Sequence, residues 1–416
     1  MSGALRDGAS AGTATADFTS LGIVVGHATD AEGGTGLTVV RGARGGLRAA
    51  AAVLGRATGT RELHAVAPEH LVERVDAVML TGGSAYGLDA AAGVMRWMEE
   101  RGRGFPVGPG VVPIVPAAVI FDLAPFGRFD ARPTAAMAYE ACERATARGV
   151  AEGSVGAGTG ATVGKAAGVE HAMKGGVGCA VVERAGAPPV GAVAVVNAFG
   201  DVRDVAGRIV AGARADGGGF LDSARLIAEG AGARGRFAEL VSVGAETAGS
   251  LGADAAGRNT TIALVAVGAP LSRAELAQVA RAATAALHRR ITPAGTTFDG
   301  DVVFAVAAVE DVGEGGGGSG GAGAADAGAG GPPREQNGAP DVPAGNRNTA
   351  PRTPSTPRSP MPLSPAELLR VEALAVLALE QAVERAVRLA RGRDGVPGLA
   401  DDAAADRAAA ASDQTT

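Results

Sequence analysis

The chain has 416 residues, 46% of them hydrophobic but only 3% aromatic, so one large domain or two must be built around Ala, Val and Leu. Its 38 basic and 44 acidic side chains leave a formal charge of -6, which argues against nonspecific binding to a nucleic acid or another polyanion. Two cysteines without metal-ligand spacing read as small buried groups in a reducing compartment, with one disulfide left open.

Residues 1–18 are small and polar and are expected to be loose. They lack the basic segment and apolar run of a secretory leader, so a cytoplasmic location is expected. Apolar runs at 21–25 and 36–40 read as strands around a turn at Asp30–Gly34. Val75–Leu80 is a further strand, running into a turn at Thr81–Ser84. A helix over 87–101 follows, with Leu88, Ala91, Ala92, Met95 and Met98 on its apolar face. Val107–Phe121 carries Pro109, Pro113 and Pro116 and does not read as a membrane span. A second helix is expected over 134–148, then glycine-punctuated strands at 176–183, 190–197 and 238–243.

The later part opens with a strand over 261–267. Ser272 and Glu275 have capping-box spacing and start a helix to about residue 290, and Val302–Val309 is a strand. Residues 313–363 are rich in Gly, Pro and Ser, cannot form a core, and are expected to be disordered. Ser364-Pro365-Ala366-Glu367 then supplies an N-cap, a Pro at the first helical position and a Glu at the third. The helix that follows presents Leu368, Val371, Ala375 and Leu379 and ends before Gly392, leaving 393–416 as a disordered tail. Periodicity alone supports only a mixed α and β class.

The chemistry centres on Gly257-Arg258-Asn259-Thr260-Thr261, which puts two threonines at the mouth of an apolar strand. A β-hydroxyl there can attack the carbonyl before its own residue, convert the amide to an ester and let water cut the chain. The new terminal Thr carries a hydroxyl beside an α-amine that titrates near 8, a nucleophile with its own base. Taken alone, Asn-Thr before a strand is ordinarily a turn entering a sheet. Asp299-Gly300-Asp301 places two carboxylates on one side of an extended segment, where they can share a proton; the plain alternative is an acidic turn before a strand. Gly156–Ala161 imitates a dinucleotide fingerprint but follows a poor strand, and Gly164-Lys165 lacks the glycine and hydroxyl of a phosphate loop. The histidines at 27, 64, 70, 171 and 288 lack zinc spacing.

Seven blocks, in order and including this junction, raise the self-cleavage reading. They are Thr19–Asp30 with Gly34–Val40, Thr81–Ala91, Glu152–Lys165, Lys174–Gly178, Val195–Gly200, the Asn259-Thr260-Thr261 junction and Phe298–Asp301. With them the chain resembles the DmpA-like family of self-processing aminopeptidases and amidases, peptidase family S58, across roughly residues 19–311 and a last helix near 364–391. The resemblance implies an α+β fold, a four-layer α/β/β/α sandwich of the DmpA/ornithine acetyltransferase-like type. It also implies one catalytic domain over 19–391, with 313–363 as a loop within it, cut between Asn259 and Thr260 into an α chain 1–259 and a β chain 260–416.

By the same resemblance Thr260 is the nucleophile, Asn197 an oxyanion donor, and Asp301 the acid that holds the Thr260 amine or a substrate ammonium. Related enzymes carry a Ser at the position of Asp299, which puts any serine relay there in doubt. Ser84, Tyr86 and Gly158 become candidates for the substrate pocket. Thr261 is the internal rival to Thr260, and strand alternation sends it to the opposite face. The implied partners are a small peptide or amide with a free amino terminus and further copies of a processed αβ unit, a tetramer among the arrangements implied. Neither a cofactor, a metal, a nucleic acid nor a membrane is called for. The competing reading is an unprocessed, inactive homo-oligomeric scaffold of the same fold, favoured by Asp299 and the long insertion.

Overall fold

The computed structural model describes residues 15–123, 127–230, 259–309 and 363–401. The expected strand 238–243, nearly all of the 313–363 tract and residues 402–416 lie outside them. Ten strands carry the fold: β1 (Ile23–Asp30), β2 (Thr35–Gly42), β3 (Leu47–Val53), β4 (Thr60–Arg61), β5 (Ala77–Thr81), β6 (Ala117–Val119), β7 (Gly176–Val182), β8 (Val190–Asn197), β9 (Thr260–Val267) and β10 (Val302–Ala308). Four helices accompany them: α1 (Ala91–Glu99), α2 (Ala135–Glu143), α3 (Arg273–Arg290) and α4 (Pro365–Arg388). One sheet has the order β1-β2-β5-β6-β4 and the other β7-β8-β9-β10-β3. Neighbours are antiparallel except β5 with β6 and β9 with β10.

Strand alternation assigns the layers. In β9, Ile262, Leu264 and Ala266 join Ile23, Val25, Val40, Leu80 and Ile120 of the first sheet in one buried cluster. Ala263, Val265 and Val267 join the apolar faces of α3 and α4 in another. A third cluster lies between α1, α2 and the outer face of the first sheet. The result is helices, sheet, sheet, helices: the expected four-layer sandwich. Alanine and valine dominate all three clusters, as the scarcity of aromatics required.

Small side chains let the layers approach closely. A Cβ on Gly178 of β7 would lie 2.1 Å from the Ala382 carbonyl oxygen of α4. Gly178→Val should therefore push α4 off the sheet, costing about 2–3 kcal/mol; thermal unfolding that matches the unsubstituted protein would show the contact to be slack. Both α3 and α4 open with complete capping boxes, Ser272 with Glu275 and Ser364 with Glu367. These satisfy N–H groups that the first helical turn leaves without partners.

Several expectations need correction. The stretch at 87–101 begins as a 3-10 helix over Ser84–Ala90, and only Ala91–Glu99 is α-helical. The tighter turn shifts the phase, so Ala91, Val94, Trp97 and Met98 are buried and Ala92 is exposed. Within the segment expected to be loose, Phe18 is fully buried in the inter-sheet cluster and Asp17 pairs with Arg148 at 2.9 Å. Residues 393–401 are tied down as well. Arg393 donates to the carbonyls of Ala31 and Glu32, and Pro397 accepts from the Lys174 N–H at 2.9 Å. β3 has no counterpart in the sequence reading, because Leu47–Val53 is an alanine run without alternation. Both cysteines are free and buried. No helix among the described residues is long and apolar enough to cross a membrane.

Candidate active site

β9 is buried along its whole length, and Thr260 opens it. Because even-numbered residues of β9 face the other sheet, the Thr260 side chain points into the inter-sheet layer and Thr261 toward the helices. Asn197 closes β8 directly opposite Thr260 in the antiparallel register. Val193 and Val195 share its face of the strand. Hydroxyl and carboxamide thus stand side by side on neighbouring strands.

The bond before Thr260 is held tightly. Thr260 Oγ1 donates to the Asn259 carbonyl oxygen at 2.5 Å, and the Gly300 N–H donates to the same oxygen at 2.9 Å. A Cβ at residue 300 would fall 2.8 Å from Thr260 Oγ1 and 2.6 Å from the Ala57 carbonyl oxygen, so only glycine permits this approach. A donor on that oxygen can stabilise the negative charge that develops there when the carbonyl is attacked.

Asp299 and Asp301 are each only 2% exposed. Asp299 forms an isolated parallel bridge with Asn259. Asp301 accepts from the Thr261 N–H at 2.6 Å and from the Gly295 N–H at 3.0 Å. Burial first, and then the charge of Asp299, push the Asp301 carboxyl up to about 7, against the pull of those N–H groups and of Lys165. Burial also raises Asp299, opposed by its hydrogen bonds to Thr296 and by Lys165. Two carboxylates that cannot both ionise cheaply provide a proton acceptor near neutral pH.

Sequence reasoning missed Lys165. Its Nζ donates to the Asn197 main-chain carbonyl at 3.1 Å and to Asn197 Oδ1 at 3.0 Å. Oδ1 also accepts from the Thr162 N–H at 3.1 Å, and Nδ2 donates to the Phe121 carbonyl at 3.2 Å. A compositional signal was there to be read. Lys165 and Lys174 are the only lysines among 38 basic residues, and lysine offers a compact charge whose proton affinity shifts readily on burial, as that of arginine does not.

The pocket candidates are more scattered. Ser84 has a positive φ of 51°, and its N–H donates to the Ile120 carbonyl at 3.0 Å. Tyr86 is 53% exposed, with the Arg132 guanidinium 3.5 Å from its ring centre. Gly158 is packed against β7, where a Cβ would meet the Val177 nitrogen at 2.3 Å. The segment 120–122 links the Ser84 turn to Asn197: Gly83 N–H donates to the Asp122 side chain at 2.6 Å, while the Phe121 carbonyl accepts from Asn197 Nδ2. Two open surface clefts are lined by none of Thr260, Asn197, Asp299 or Asp301. Among the described residues no group of His, Cys, Asp and Glu is placed to hold a metal ion.

Residues 20–399 match the family model described as peptidase family S58. The chain belongs to peptidase family S58. It is therefore an aminopeptidase/amidase of serine/threonine type, in a family that acts on small peptides or amides. An uncharacterized aminopeptidase of Mycobacterium tuberculosis (strain ATCC 25618 / H37Rv) is 46% identical over 253 residues, 61% of this S58 chain and 67% of that protein. A 6-aminohexanoate-oligomer endohydrolase of Kocuria sp. (strain KY2) is 31% identical over 314 residues, 72% of this chain and 77% of the relative. A Burkholderia sp. beta-aminopeptidase has a similar fold, with a TM-score of 0.58, 20% identity and 93% of both chains covered. The l-aminopeptidase d-ala-esterase/amidase from Ochrobactrum anthropi also has a TM-score of 0.58, at 18% identity over 93% of this chain and 90% of that one.

Proposed function

We propose that this S58 hydrolase cuts itself between Asn259 and Thr260 and then turns over small amides with a free amino terminus through an acyl-enzyme on Thr260. In the first reaction Thr260 Oγ attacks the Asn259 carbonyl carbon, its proton passing to the Asp299–Asp301 pair. The C–N bond breaks, the α-amine takes up a proton, and an ester links Asn259 to the hydroxyl. Water hydrolyses that ester, leaving a carboxylate on Asn259 and a free hydroxyl and amine on Thr260. In turnover the Thr260 amine takes the hydroxyl proton, and Asn197 Nδ2 donates to the oxyanion. The leaving amine then receives the proton, and water frees the acyl group.

The observation that carries this reading is the shared face of Thr260 and Asn197 at the ends of paired strands, with the Asn259 carbonyl bonded to both Thr260 Oγ1 and Gly300 N–H. A cut at this bond would not release the two pieces. β9 and β10 of the second piece lie between β8 and β3 of the first, and Arg385 is bonded to Glu152 at 2.9 Å across the same divide. Within this proposal 19–391 is one catalytic domain, the αβ units assemble as a homo-oligomer, and the protein works in the cytoplasm.

The test is the intact mass of purified protein, followed by a screen of aminoacyl p-nitroanilides, β-aminoacyl amides, D-amino-acid amides and 6-aminohexanoate oligomers. Fragments beginning at Met1 and Thr260, with turnover of at least one class bearing a free amino group, are expected. A chain that stays whole and inert after prolonged incubation would instead establish the scaffold reading.

A further inference from the structure

The mechanism leaves Lys174 without a task. It is 2% exposed, deep in the strand pair Met173–Lys174 with Thr162–Val163. A buried ammonium is costly unless it is paired. Its Nζ donates to the Thr159 carbonyl at 2.8 Å and to the Ala161 carbonyl at 2.7 Å. Burial pulls its proton affinity down to about 7, and the carboxylate of Asp122 opposes that pull.

The Ala161 carbonyl belongs to the same planar peptide as the Thr162 N–H. That N–H donates to Asn197 Oδ1 at 3.1 Å. A cation on the carbonyl polarises the peptide, strengthens the N–H as a donor and fixes its direction. Oδ1 is then held from one side by Thr162 N–H, Thr162 Oγ1 at 3.4 Å and Lys165 Nζ. An amide has its donors opposite its acceptor, so Nδ2 must face away from these groups, toward Phe121.

We propose that Lys174 is a positioning residue for the hydrolysis: acting through the Ala161–Thr162 peptide, it sets the orientation of the Asn197 carboxamide. The proposal rests on the reading of Asn197 as the oxyanion donor, and the experiment separates the two. A double-mutant cycle compares the parent, Lys174→Met, Asn197→Ala and the double variant. Turnover of an aminoacyl p-nitroanilide is normalised to the fraction of chains that begin at Thr260. Lys174→Met should lower kcat about ten- to a hundredfold, part of the loss expected from removing an oxyanion donor outright, with KM within about threefold. In the Asn197→Ala background the same change should cost less than about twofold, because the group it positions is gone.

Losses that multiply in the double variant, or a rise in KM with kcat retained, would overturn the role of Lys174. Unchanged kcat in Asn197→Ala alone would overturn the Asn197 reading itself. If Lys174→Met does not fold, Lys174→Gln, which removes the charge but keeps a polar side chain, takes its place in the cycle with the same expectations. If Asn197→Ala remains uncut, crystal structures of Lys174→Met and the parent decide: a turned Asn197 carboxamide supports the proposal and an unmoved one overturns it.

Discussion

Thr260→Ala should leave one chain of 416 residues and reduce amide turnover by on the order of 10^4-fold or more, the scale on which hydrolases lose rate with their nucleophile. Both effects have the same origin. The Thr260 hydroxyl is the group in contact with the Asn259 carbonyl oxygen, at 2.5 Å, and the same residue supplies the amine once the chain is cut. Thr260→Ser keeps a hydroxyl and should still be cut. Thr261→Ala should be cut too, because Thr261 lies on the face of β9 that packs toward the helices. Fragment masses and p-nitroanilide release read all three variants. A Thr260→Ala protein that matures at the same bond, or a Thr261→Ala protein that does not, would move the nucleophile elsewhere.

Self-cleavage should accelerate with pH through an acid limb near 7. This reaction precedes the free α-amine, so that amine does not enter its pH profile. Asp301 is raised to about 7 by burial and by Asp299, and its ionised form is the one that can take the hydroxyl proton. Asp299→Asn removes the like charge and should move the limb to lower pH. Asp301→Asn should flatten the limb and slow cutting. The fraction cut against time, measured from pH 5 to 9, gives these profiles; an unchanged limb in Asp301→Asn would remove that residue from the reaction.

The same carboxyl has a consequence for stability. Its folded pKa lies above the unfolded value of about 3.9, so the folded state holds the proton more tightly. That contribution is complete below the unfolded pKa and is lost as pH rises through about 7. Denaturation from pH 4 to 8 should show parental stability falling relative to Asp301→Asn, by on the order of a few kcal/mol in total. The slope carries the information here. Absolute stability also reflects the Thr261 and Gly295 N–H groups, which bond different oxygens of Asp301, one of which becomes a donor NH2 in Asn.

Much of the fold could be read before the structure. β8, β9 and the two capped helices fall within a residue or so of their expected starts, because apolar alternation and Ser-x-x-Glu spacing are local properties. β3 could not be read, since its alanines acquire meaning only from β10 beside them. The 3-10 entry to α1 was equally hidden, because a change of helical pitch leaves no mark in composition. At the site, Thr260 and the pair of aspartates were legible from spacing and resemblance. Lys165 and Lys174 were not, since their partners, Asn197 for the first and the Thr159 and Ala161 carbonyls for the second, are brought to them only by folding.

The residues by themselves therefore determined the chemistry on offer: a hydroxyl poised at a strand mouth, two acids around one glycine, and a carboxamide ending another strand. Only the tertiary structure decided which of these meet, with Asn197 level with Thr260, Gly300 N–H on the Asn259 carbonyl, and Asp301 bonded behind the nucleophile. The physical reason is that side-chain period tells which face of a strand is apolar and nothing about its neighbour. Register and burial come from pairing across long separations, and burial in turn moves a carboxyl from the acid range to neutrality.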